Sequence, residues 1–130
     1  MGMYTELIFG ARLKETTPKE VIDTIKYMIG DLEEKPENLA FKTTSNRNVL
    51  RGCSYYFGVQ NSVTKFYYDD IAKSWTLSSR ANIKNYENEI EQFLRWIKPF
   101  IEQGSGTRDM YAITIYEEDF VPNIYYLKNV

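Results

Sequence analysis

Histidine is absent from this 130-residue chain, which excludes His-based nucleophile triads, HExxH zinc sites and imidazole proton shuttles. Cysteine occurs once, at Cys53, so neither an internal disulfide nor a paired-cysteine zinc knuckle can form. No apolar run approaches the ~20 residues that a membrane helix needs. No basic segment followed by an apolar one precedes Met3-Tyr4-Thr5-Glu6, as a secretory signal would require, and there is no Asn-x-Ser/Thr acceptor. With the lone thiol, these absences set the expectation of a cytoplasmic protein that does not engage a membrane.

A dominant sign of charge is also lacking. Lys plus Arg is 16 against 18 for Asp plus Glu, a net charge of −2 with a pI near 5.2. That balance disfavours duplex nucleic acid as a partner, since such binders carry a basic face. The acidic runs Glu33-Glu34, Asp69-Asp70 and Glu117-Glu118-Asp119 are short and read as solvated turns.

What is present is the composition of a soluble globule, 43% hydrophobic and 26% charged. A chain of this length fits one domain over residues 1–130, and burial of roughly two-thirds of its unfolded surface is enough to fold it unaided.

Residues 4–13 alternate Leu7, Phe9, Ala11 and Leu13 with Glu6, Ile8, Gly10 and Arg12, the pattern of a strand with one face on a core. Thr17, Pro18 and Glu20 make a capping box, followed by a helical stripe of Val21, Ile22, Ile25, Met28, Ile29 and Leu32. Gly30 weakens that helix at its end. Residues 33–49 form a long polar connection, of a length that is commonly either functional or mobile. Three strands follow as a meander. Residues 51–59 set Cys53, Tyr55, Phe57 and Val59 against Ser54, Tyr56 and Gly58. Residues 63–69 set Val63, Lys65 and Tyr67 against Thr64, Phe66 and Tyr68, and residues 74–81 set Trp75 and Leu77 against Thr76, Ser78 and Arg80.

A second helix begins near Asn85, buries Tyr86, Ile90, Phe93, Leu94, Ile97 and Ile101, and is kinked or ended near Lys98 by Pro99. Met110–Glu117 and Ile124–Leu127 close the chain as a hairpin. The order β-α-β-β-β-α-β-β predicts an α+β fold, a two-layer sandwich with a mostly antiparallel sheet of about six strands and two helices on one face.

That architecture leaves the other face of the sheet open. By alternation it collects Glu6, Arg12, Ser54, Tyr56, Thr76, Ser78, Arg80, Thr114 and Tyr116. Tyrosine, arginine and small hydroxyls give contact area and hydrogen bonds at modest entropic cost, as recognition surfaces require. Tyrosine is also an ordinary strand residue, so its abundance (eleven in the chain) has a purely structural reading as well. The residues assigned to binding are Glu6, Arg12, Arg51, Tyr56, Thr76, Arg80 and Tyr116.

Two other constellations compete. Arg12, Arg51 and Arg80, with Lys42 and Arg47, could converge on a small nucleotide-type anion, guanidinium to phosphate and ring to base. Scattered surface arginines are the plain alternative. Asp69-Asp70 and Glu117-Glu118-Asp119 offer carboxylates for an enzyme working without histidine, but neighbours in a strand point to opposite faces, so neither run is a preformed pair. Gly104-Ser105-Gly106-Thr107 lacks the Gly-Lys-Ser/Thr of a phosphate loop. Cys53 reads as a buried inert thiol and Trp96 as core. No catalytic residue, metal ligand or cofactor is assigned.

Three segments carry a resemblance: Met3-Tyr4-Thr5-Glu6-Leu7, Thr17-Pro18-Lys19-Glu20-Val21-Ile22, and Asn85-Tyr86-Glu87-Asn88-Glu89-Ile90 followed by Phe93-Leu94-Arg95-Trp96-Ile97-Lys98-Pro99. In these the chain resembles small accessory proteins of phage and prophage genomes. The resemblance implies a protein that acts by stoichiometric binding, blocking a host protein or sequestering a small signal. An exposed strand or tyrosine-rich face would also allow pairing with a second copy.

Overall fold

The computed structural model describes residues 3–36, 49–52, 63–104 and 109–128. The strand β1 (Tyr4–Leu13) runs through the middle of the sheet, and its alternation decides where the core lies. Leu7 and Leu13 are fully buried and Phe9 is nearly so, whereas Gly10 and Arg12 are turned to the other side. Each such buried side chain contributes about 1.5–3 kcal/mol relative to exposure.

Four further strands complete an antiparallel sheet in the order β2-β3-β1-β4-β5, with β2 (Val63–Asp69), β3 (Ser74–Lys84), β4 (Met110–Tyr116) and β5 (Asn123–Tyr126). The described sheet therefore has five strands, not six. The expected strand over 51–59 falls largely outside the described residues. Its first residues are in view, and there the Gly52 carbonyl accepts the Asn82 N–H at 2.9 Å, alongside the stretch of β3 that β2 does not reach.

Both helices pack on the Leu7–Phe9 face. The helix α1 (Lys19–Ile29) buries Val21, Ile22, Ile25 and Met28, and α2 (Glu89–Ile97) buries Ile90, Phe93, Leu94 and Ile97. Phe93 meets Phe9 edge-on at 5.6 Å between ring centroids. The two-layer sandwich follows directly. Among the described residues no helix is long and apolar enough to cross a membrane.

The helix ends depart from the sequence reading in instructive ways. No capping box forms, because the Thr17 hydroxyl donates to the Lys14 carbonyl at 2.6 Å, closing the preceding turn, and Pro18 takes the capping position. The second helix opens as a 3₁₀ turn over Tyr86–Asn88, which leaves Tyr86 exposed rather than in the core stripe. Asn85 still caps it, accepting the Ile90 N–H at 2.9 Å. Pro99 sits in a 3₁₀ turn over Lys98–Phe100, which ends α2 at Ile97.

Gly30 ends α1 in the left-handed region at φ 88°, with the Asp31 N–H reaching back to the Lys26 carbonyl at 2.8 Å. A Cβ there would lie 3.2 Å from the Arg51 guanidinium. Gly30→Ala should therefore cost about 1–2 kcal/mol in urea unfolding. An unchanged midpoint would show that the helix end relaxes out of the left-handed conformation.

Candidate functional site

Cross-strand register fixes the composition of the outer face, the one turned away from the helices. One row crosses all five strands as Val63, Arg80, Ile8, Ile113 and Ile124. Next to it lies Asn82–Glu6–Ile115, and on the other side Lys65–Ser78–Gly10, then Tyr67–Thr76–Arg12. Val63, Tyr67 and Ile124 are exposed, and Ile8, Ile113 and Ile115 are half-buried, Ile113 and Ile115 by their place in β4. Lys84 lies beyond, its ammonium 5.8 Å from the centre of the Tyr4 ring. The outer face thus has an aliphatic centre. Arg12, Lys65, Arg80 and Lys84 are its cations among the described residues, against the carboxylates of Glu6 and Asp69.

Of the residues assigned to binding from sequence, Glu6, Arg12, Thr76 and Arg80 lie on this face. Tyr116 and Thr114 do not. They pair with Thr5 and Leu7 and point to the helix side. The cause is a register shift between Met110 and Ala112 that buries both Tyr111 and Ala112 and reverses the alternation of everything after it. The isoleucines of β4, which simple patterning assigns to the core, are turned outward in their place. Arg51 belongs to neither group, since its guanidinium packs against Gly30 at the end of α1. Tyr56 and Ser54, like Lys42 and Arg47, fall outside the described residues.

The arginine convergence expected for a nucleotide-type anion is not formed by the described residues. Arg12 and Arg80 lie four register positions apart, about 14 Å along the strands at ~3.4 Å per residue. The carboxylate runs are no closer to forming a pair. Asp69 lies at the Leu13 end of the sheet and Glu117 at the Tyr4 end, separated by about 30 Å, the length of β1. The part played by Asp69 is structural, for it accepts the N–H groups of Ala72 and Ile71 and so closes the β2–β3 turn. Those bonds, together with the nearby Arg12 charge, hold its carboxyl below the ordinary range. Among the described residues no cluster of three or more His, Cys, Asp or Glu side chains gathers to hold a metal ion.

The outer face holds a buried polar group that sequence reasoning missed in part. Glu6 is only 2% exposed and its carboxylate pairs with the Arg80 guanidinium, whose side chain is about half exposed. Directly opposite Glu6, Asn82 is also 2% exposed, and among the described residues neither its Oδ1 nor its Nδ2 has a hydrogen-bond partner. A polar residue between Ala81 and Ile83 gives no sequence signal of burial on the outer side. The clue lies only in its register against Glu6.

Comparison with protein-family models, curated proteins and solved structures returns no match.

The Glu6–Arg80–Asn82 group yields two opposed expectations. Arg80→Ala strands a desolvated carboxylate, and with Arg80 itself half in solvent the cost should be about 1–2 kcal/mol. Asn82→Leu removes an amide that no described residue satisfies and should raise stability by about 1 kcal/mol. Both are read from denaturant midpoints at constant slope. A loss on Asn82→Leu would show that the amide is engaged in the folded protein.

Proposed function

We propose that this protein is a non-catalytic binding module that engages a protein partner through the outer face of its sheet. The carrying observation is the row Val63–Arg80–Ile8–Ile113–Ile124, which puts an aliphatic centre across five strands with arginine, lysine and tyrosine around it. Interfaces are built this way, apolar in the middle and polar at the rim, with Arg and Tyr enriched. The row spans about 19 Å at ~4.8 Å between strands, a broad surface that suits a protein better than a small molecule, which prefers a concavity. The partner's complementary surface is apolar with acidic residues beside it, matched to Arg12 and Lys65.

The resemblance to phage and prophage accessory proteins supports a narrower version, in which the partner is a host protein and binding inhibits it by stoichiometric occlusion. The outer face is also available to a second copy of the chain, and the same variants separate the two cases.

The deciding experiment uses residues whose exposure makes them neutral to folding. Wild-type protein should capture a bacterial partner in a fixed molar ratio. The double variant Tyr67→Glu/Ile124→Glu should lose it with an unchanged melting temperature. Lys65→Glu should weaken binding and reduce its salt dependence. Capture retained by the double variant would sink the outer-face reading. A dimer in native mass spectrometry that the double variant dissolves would assign the face to self-association instead.

A further inference from the structure

The reversed end of β4 borders a cleft of about 410 Å³ on the helix side, between the sheet and the start of α2. Thr5, Thr114 and Tyr116 line it from the sheet, and Asn85, Tyr86 and Glu91 from the opposite wall. We propose that this cleft binds a small molecule carrying an organic ammonium group, seated on the Glu91 carboxylate between the rings of Tyr86 and Tyr116.

Charge is the first ground. Glu91 is the one charged side chain in the described lining, with no lysine or arginine there to balance it. It is also held in place. The Asn85 Nδ2 donates to both of its oxygens, at 2.7 Å and 2.9 Å, while the Asn85 Oδ1 is fixed by the Ile90 N–H. A carboxylate has about four lone-pair sites, so one amide donor leaves capacity for an incoming N–H group. A positioned carboxylate needs no reorganisation when a cation arrives.

The second ground is the rings and their surroundings. Tyr86 is 65% exposed, and it lines the cleft together with Tyr116. Ammonium groups are attracted to aromatic faces, and the hydroxyl and amide oxygens of Thr5, Thr114 and Asn123 add acceptors. Desolvation, and then the carboxylates of Glu118, Glu117 and Asp119, hold the Tyr116 phenol above its ordinary range. The ring stays neutral, and those same carboxylates add negative charge near the cleft beside that of Glu91, with Lys84 at the same end of the sheet.

The test titrates the full chain with ethanolamine and with cadaverine, using glucose and inorganic phosphate as controls, by calorimetry and by amide chemical shifts. Each amine should bind saturably, one per chain, and shift the Thr114 and Asn123 amides. Glu91→Gln should weaken binding at least about tenfold, because it removes a charge while keeping the shape. Tyr86→Ala should weaken it about fivefold, as loss of one ring face would. Melting temperatures of both variants establish that they fold, and Tyr86 is exposed enough to be replaced without cost. Failure of both amines to saturate, glucose binding in their place, or an undiminished affinity in Glu91→Gln would each overturn the proposal. Shifts confined to the outer-face amides would overturn it as well, without touching the outer-face reading.

Discussion

A β-strand offers its side chains only two directions, and in β4 the irregularity between Met110 and Ala112 decides which residue receives which. Tyr111 enters the core edge-on to Phe9, 6.2 Å between ring centroids, and packs on Tyr125 at the same separation. An unbroken alternation from there would carry Ile113 and Ile115 inward. Because Ala112 is taken inward as well, the phase flips. Thr114 and Tyr116 go to the helix side, and the isoleucines go out. Both surfaces argued to bind something stem from that one shift. The outer aliphatic row needs Ile113, and the cleft beside α2 needs Thr114 and Tyr116 facing it.

Asn82 and Glu6 belong to the same account. A sheet face exposed to water has no reason to bury a carboxylate and an amide, and a core has every reason to exclude them. Here both are buried on the side away from the helices, with Arg80 reaching the carboxylate and no described residue reaching the amide. Arg80 is therefore a poor choice for a clean binding variant, because its truncation disturbs Glu6 first. Tyr67 and Ile124, exposed and not paired with any member of that buried group, report on binding more directly, whereas Val63 lies directly opposite Arg80.

Much of the architecture was legible because its signals are local and periodic. The alternation of Leu7, Phe9 and Leu13 gave β1 and its inner face, the stripes of α1 and α2 gave the helices, and Pro99 marked the end of the second. Misreadings came where a tertiary contact overruled a local preference. The Thr17 hydroxyl donates to the Lys14 carbonyl instead of accepting an N–H of the helix it precedes, and Tyr86 was carried out of the apolar stripe by a 3₁₀ turn. The candidate site was half legible. Glu6, Arg12, Thr76 and Arg80 follow from the period of strands whose inner faces are plainly apolar. Tyr116 was placed on the wrong side because a bulge leaves no mark in the pattern of hydrophobic residues, and Asn82 gained meaning only from its position opposite Glu6.

Net charge concealed the property that best separates the two surfaces. A chain at −2 reads as electrostatically bland, yet its charges are segregated. Among the described residues Arg12, Lys65, Arg80 and Lys84 outnumber Glu6 and Asp69 on the outer face, while Glu91, Glu117, Glu118 and Asp119 gather at the cleft end. At physiological salt the screening length is about 8 Å, so each group acts on what approaches its own surface and little on the other. On the proposed readings, an acidic protein surface would be drawn to the isoleucine row and a cationic small molecule to the cleft. The sum of the charges describes neither encounter. The local fields do, and they follow from strand register rather than from composition.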